Sequence, residues 1–386
     1  IRIDTEAPTQ TEADVLAERF VKELKEIVDS NESSSSTMQE KRNIPKKHKI
    51  RRKTSIRPII MLLSLCLFLG FIDIDAQITA SVKIGATYSD NVFHLSEYDI
   101  NRFDDHHPNL DFVDTMDDLT LSTRIELGYP MSYRWWKFTP SITSTLSQNI
   151  SNEDKYRYDW AAKFRVDRYY WNCSIQYASS PYIYFRHFID TDGTKELEKY
   201  NYSRDTFRGD LAVKPFPKTT LKADLRYDIY RYNEYFTEAD GKAFAEELGV
   251  SYKFPYFTIE GSYAYRDFSC DKRIENKDCS YQSNTYKGKI VLPKMPLESK
   301  SETLWQPSLT LNYEQKYYQG GGSWYGGRAD YTYTLSAGMN ILFSPKWNLS
   351  LDYSHLFRNV ETDNESVLRL KEYNENRLSA ALRFKF

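Results

Sequence analysis

The chain has 386 residues, with 52 Lys and Arg against 54 Asp and Glu, for a formal net charge of −2. So even a balance offers no electrostatic footprint for nucleic acid and no strong pull toward anionic lipid. Apolar residues make up 40%, yet Tyr (31) and Phe (21) dominate them and mean hydropathy is −0.65, so the hydrophobic area is carried by amphipathic rings suited to a boundary between apolar and wet surroundings.

Residues 1–45 form an extension. Within it, 11–30 predicts an amphipathic helix with Thr11 as N-cap and Val15, Leu16, Phe20, Val21, Leu24, Ile27 and Val28 along one side, followed by a Ser-rich linker from Asn31 to Thr37. Two readings stay open. Either this is a module ahead of an anchor, or the native product starts at Met38 and the upstream part is foreign to it. The helix receives no function.

Residues 46–76 predict a secretory signal peptide. A basic run from Lys46 to Lys53, then Arg57, precedes an apolar stretch from Pro58 to Ile72, which is short for a helix crossing a bilayer. Cleavage is expected after Ala76, although Ile74 at the −3 position meets the small-residue rule only in part. An uncleaved anchor is the alternative. Cys66 does not serve as a lipoprotein cysteine, because a Leu precedes it and the apolar stretch runs on beyond it.

From Thr79 onward no helix-period segment of useful length stands out, and two-residue alternation recurs instead. Leu119, Leu121, Ile125 and Leu127 alternate with Thr120, Ser122, Arg124 and Glu126. Tyr156, Tyr158, Trp160 and Phe164 alternate with Arg157, Asp159, Lys163 and Arg165; Leu221, Ala223, Leu225 and Tyr227 with Lys222, Asp224, Arg226 and Asp228. Each segment is about ten residues long, the length of a tilted strand crossing a bilayer.

Turns come in two alternating kinds. Short aromatic turns, most with Pro, lie at Tyr129-Pro130, Arg168-Tyr169-Tyr170, Lys214-Pro215-Phe216-Pro217, Phe254-Pro255-Tyr256, Leu292-Pro293 and Ser344-Pro345-Lys346-Trp347. Longer polar stretches separate them near 89–117, 149–154, 180–200, 233–243, 269–281, 319–327 and 359–372. Aromatics gather near both kinds, as two interfacial girdles require. The expectation for 77–386 is an all-β, antiparallel, up-and-down transmembrane barrel of about fourteen strands. A soluble sandwich would need a Val, Ile and Leu core instead.

The final strand ends in Leu382-Arg383-Phe384-Lys385-Phe386. Phe386 with Phe384 two residues earlier resembles the C-terminal assembly signal of bacterial outer-membrane β-barrels, although Ala381 stands where a Gly is usual. With the signal peptide and the alternation, residues 79–386 resemble a porin-like barrel in pattern only, without a specific family. The resemblance implies a place in the cell outer membrane, with the lipid bilayer and the insertion machinery as partners.

If the apolar face meets lipid, the polar face lines a lumen. The candidates are Arg124, Glu126, Arg157, Asp159, Lys163, Arg165, Lys222, Asp224, Arg226, Asp228, Glu260, Arg266, Glu314, Lys316, Asp352 and Arg383, with Lys83, Asp330 and Lys385 also on that face. Both signs alternate, so neither ion selectivity follows, and a narrow channel and a loop-plugged one both fit. Cys270 and Cys279 frame a polar loop and are the disulfide candidate of an exported chain, two free thiols being the alternative. The acidic series Asp90, Glu97, Asp99, Asp104, Asp105, Asp111, Asp114 and Asp117 lacks the spacing of a calcium loop and reads as solvated. Asn91 reads as loop structure.

Nothing points to an enzyme. There is no Gly-x-Ser-x-Gly, no phosphate loop and no metal-ligand cluster, so neither metal nor cofactor is expected. His355 alternates with Leu351, Tyr353 and Phe357 and reads as a girdle residue facing outward. The functional expectation is a pore for small polar solutes. The alternatives are a surface-binding or structural barrel with an occluded lumen and, last, an interfacial hydrolase. Solute and oligomeric state stay open.

Overall fold

A computed structural model describes residues 78–190, 193–274, 276–297 and 302–386. The expected extension and signal peptide, 1–76, lie outside these residues.

The chain forms strands β1 (Thr79–Ser89), β2 (Asp118–Gly128), β3 (Met131–Tyr133), β4 (Trp136–Asn149), β5 (Arg157–Asp167), β6 (Trp171–Ile189), β7 (Leu197–Phe216), β8 (Thr219–Tyr232), β9 (Gly241–Lys253), β10 (Thr258–Cys270), β11 (Tyr281–Val291), β12 (Met295–Pro296), β13 (Leu304–Tyr318), β14 (Ala329–Leu342), β15 (Trp347–Glu361) and β16 (Tyr373–Lys385). The ribbons β3 and β12 are short spurs on the turn side. The other fourteen form the wall, each antiparallel to its neighbours.

The wall closes on itself. β1 pairs with β2 on one side and with β16 on the other, Ile84 facing Thr123 and Leu382, while β11 pairs with β13. Closure leaves no unpaired edge, the condition for a sheet surrounded by lipid, where no water can satisfy a free backbone group.

Alternation sets the two faces. Ile175 is 67% exposed, Leu248 66% and Leu225 53%, and Ile142, Leu211 and Leu335 are exposed in the same way. A water-soluble sheet buries such a face; here it is the outer wall, and it fits hydrocarbon. Tyr169, Tyr256 and Trp135 stand exposed at the turn side.

The turns expected at 168–170, 254–256 and 344–347 are short, since only 168–170, 254–257 and 343–346 separate the flanking strands. One loop differs. The stretch 180–200 is mostly wall, because β6 and β7 run to Ile189 and from Leu197, carrying the sheet past the length a bilayer needs. Bulges between Ser180 and Ile183 and between Tyr184 and Arg186 accommodate the extension.

Two short helices were not foreseen, since two turns give too little periodicity to read. They are α1 (Glu97–Asp104), capped by the Ser96 hydroxyl, which accepts from the Asp99 backbone N–H, and α2 (Glu365–Lys371), capped by the Asn364 side chain, which accepts from the Ser366 N–H. The main buried apolar cluster of the described residues lies at the loop-side mouth: Phe93, Leu95, Leu110, Val113 and Tyr184.

Candidate lumen lining and mouth

On the face opposite the exposed apolar side chains, charged groups sit in the register that the alternation predicts. Arg383, Lys83 and Arg124 lie side by side across β16, β1 and β2. Glu126 meets Arg383 at 3.3 Å and Arg124 at 3.9 Å, and Arg383 also donates to the Ser81 hydroxyl. Lys163 reaches Asp210 at 3.4 Å and Lys222 reaches Glu260 at 3.2 Å, each across an intervening strand. Pairs two residues apart on one strand join Arg157 to Asp159 at 2.8 Å and Arg165 to Asp167 at 2.7 Å. Arg208 of β7 pairs with Asp224 of the adjacent β8.

Higher in the wall the pairs are buried. Asp228 is fully buried and accepts from Arg226 at 2.9 Å, Arg266 at 3.0 Å and the Thr206 hydroxyl at 2.6 Å. Arg266 also donates to the Tyr230 and Tyr281 hydroxyls. Asp330 accepts from Arg328 at 2.8 Å and from Arg358. Lys316 lies over the Tyr281 ring at 4.6 Å, with Glu314 next to it on the same face. Asp352 sits over Gly338, where a Cβ would come within 2.6 Å of its carboxylate.

The same register adds charges that alternation alone could have found. Lys287 and Lys289 alternate along β11 with Tyr286 and Ile290, and Glu375 and Arg377 continue the final strand upstream of Leu378.

The mouth is built from the loop 90–117, which holds α1, and the loop 362–372, which holds α2. Asn91 fixes the first: its Nδ2 donates to the Leu95 and Asn374 carbonyls while its Oδ1 accepts from the Leu95 N–H. It is an organising residue, a role its sequence context did not disclose. The acidic series is likewise employed in structure. Asp99 meets Arg102 at 3.4 Å and Arg186 of β6 at 3.1 Å; Asp90 accepts from Asn376; Asp118, just beyond the series, accepts the backbone N–H groups of Leu119, Ile150, Ser151 and Asn152. Among the described residues no group of His, Cys, Asp and Glu is placed to hold a metal ion.

α2 lies at the opening. Lys371, next to β16, lies 5.3 Å from the Phe188 ring on β6, with β1, β2, β4 and β5 between those strands in the wall, and 5.3 Å from the Trp324 ring. Arg369 and Arg102 flank the Tyr98 ring from the two helices. On the floor of this region His94 meets Glu375 at 3.1 Å and stacks on Tyr373, and Lys155 lies over the Phe93 ring at 4.4 Å. Burial pulls Lys371 down to about 7, helped by Arg186, Arg328 and Arg358, and pulls Lys155 down to about 8; burial lowers His94 as well.

His355 is exposed, and its ring nitrogen lies 2.9 Å from the Asn376 side-chain oxygen, which also accepts from the Tyr353 hydroxyl. Neither partner is a serine or cysteine nucleophile. Cys270 and Cys279 come together, with their sulfurs 3.0 Å apart. Phe384 packs on Trp347 and Phe386, with ring centroids 4.5 and 4.7 Å away, and the Phe386 N–H donates to the Ala80 carbonyl.

No protein-family model matches the chain, and no curated protein matches it. Solved structures similar to it include an anion-selective porin from Comamonas acidovorans, 10% identical over 80% of this chain and 98% of that one, with a TM-score of 0.41. The outer membrane channel DcaP of Acinetobacter baumannii is 10% identical over 80% and 96%, with a TM-score of 0.42. OccAB3 of the same organism is 10% identical over 81% and 100%, with a TM-score of 0.40. At such identities and scores no residue role carries over from them.

Proposed function

We propose that this chain is an outer-membrane pore that passes small polar solutes, and that it is not an enzyme. One observation carries the reading. A fourteen-stranded wall closes with its large apolar side chains exposed outward and its charged residues paired on the other face. Charges need water or partners, whereas an Arg or Lys facing hydrocarbon at midplane would cost about 2–4 kcal/mol. A barrel of this size is wider than the small filled ones, so its inner face can hold water. In this reading Arg124, Glu126, Lys163, Lys222, Glu260 and Arg383 line the lumen, the insertion machinery reads Phe384 and Phe386, and Cys270 and Cys279 form a disulfide after export.

A second reading is a surface-binding barrel with an occluded lumen. What favours it is α2, which brings Lys371 to Phe188 across the mouth. Proteoliposome swelling separates the two. Folded barrel that shifts on a gel after boiling, together with sugar-driven swelling, supports the pore; the same folded barrel without swelling supports occlusion. Soluble protein without a heat shift overturns both.

A further inference from the structure

Three buried carboxylates serve the mouth, and each is already committed. Asp99 is held by Arg102 and Arg186, Asp330 by Arg328 and Arg358, and Glu375 by Arg377 and His94. Cations remain. Among the described residues Lys371 has no ion pair or hydrogen bond and touches only the faces of Phe188 and Trp324. The Nε atoms of Arg186 and Arg358 are buried without an acceptor. Arg186 shares the Phe188 ring with Lys371, its guanidinium carbon 5.3 Å from the ring centre, and the Arg358 guanidinium lies 5.7 Å from the ring of Tyr373, two positions beyond Lys371.

The two buried Nε donors left unmade are costly, and a ring face completes only one side of the half-buried Lys371 ammonium. Guanidinium forks of β6 and β15 and an ammonium of α2, gathered around the Phe188 and Tyr373 rings, make a set of donors suited to a planar or tetrahedral oxyanion. We infer that the mouth holds an oxyanion subsite between Lys371, Arg186 and Arg358, filled by the phosphate or carboxylate group of a small solute. The inference deepens the pore reading and rests on it for the solute's passage, while the binding itself can be measured without current. The depressed ammonium of Lys371 accords with it, since burial and the charges of Arg186, Arg328 and Arg358 outweigh Asp330 there and an arriving anion would offset them.

The test is an equilibrium titration of the refolded full chain in detergent, at constant ionic strength, with inorganic phosphate and separately with succinate. Tryptophan fluorescence reads it, because Trp324 lies beside Lys371; Trp324→Phe identifies that share of the signal. The expected result is a saturable change with at least one of the two, weakened about tenfold or more in Lys371→Met. A response to phosphate alone assigns a phosphoryl ligand and a response to succinate alone a carboxylate. Lys346→Met, on the opposite turn side, serves as a control that leaves affinity unchanged. No saturable response in protein that keeps its heat shift, or equal affinity in Lys371→Met, overturns the subsite. A barrel that binds but carries no current keeps the subsite and loses the pore.

Discussion

Arg186 of β6 donates to Asp99 of α1 at 3.1 Å, and Asp99 is 1% exposed, so this buried ion pair ties α1, within the longest described loop, to the wall. Removing one partner of a buried pair strands the other charge at a cost of about 3–5 kcal/mol. Asp99→Ala is therefore expected to release α1 locally. Amide hydrogen exchange over 97–104 should accelerate while exchange in β1 and β16 stays unchanged. Unchanged protection of α1 would remove the tie.

Acid should loosen the same region. Lys371 and Lys155 are bases whose folded values, about 7 and about 8, lie below their ordinary 10.5. Between those values the released state binds more protons than the docked one, so docking strengthens as pH rises through roughly 7 to 10.5 and is weakest below about 7. His94, also lowered, adds a loss as pH falls through its ordinary value, partly opposed by Glu375. The charges of Arg186, Arg328 and Arg358 add to the lowering of Lys371, and Asp330 opposes them. Proteolysis of 362–372 should thus be faster at pH 6 than at pH 9, and Lys371→Met should flatten much of the difference.

The sulfurs of Cys270 and Cys279 lie 3.0 Å apart at the ends of a short loop. In protein recovered from an oxidising compartment the pair is expected to resist thiol labelling until reduced, while Cys173 stays unbridged. A loop this short gains about 2–3 kcal/mol from closure. Reduction should therefore expose 271–280 to protease without abolishing the heat shift of the barrel.

Leu225 is exposed near the middle of β8. Leu225→Arg should cost about 2–4 kcal/mol of folding stability in lipid vesicles, and Leu225→Ala less. Equal stability of the Arg variant would place that face away from hydrocarbon.

The wall was legible because its signal is local. Leu119 to Glu126 and Leu221 to Asp228 each display their two faces within a few residues, and the turns at Tyr169-Tyr170 and Pro255 announce their ends. The paired lining follows from the same period, and Lys287, Lys289, Glu375 and Arg377 belong to it as well. The mouth was not legible. Asp99 and Arg186 are 87 positions apart, Lys371 and Phe188 come together from elements separated by four strands of the wall, and helices of two turns carry too little periodicity to be read. The acidic loop that looks solvated in sequence holds Asp99 buried, because its partner comes from a strand that no local pattern connects to it.

The most direct test of the account is the single-channel conductance of the refolded full chain in a planar bilayer, with heat-modifiability verifying the folded barrel. The account predicts discrete current steps that grow more frequent below about pH 7, as the docked loops weaken. Folded, inserted protein that leaves the bilayer silent at every pH would contradict it.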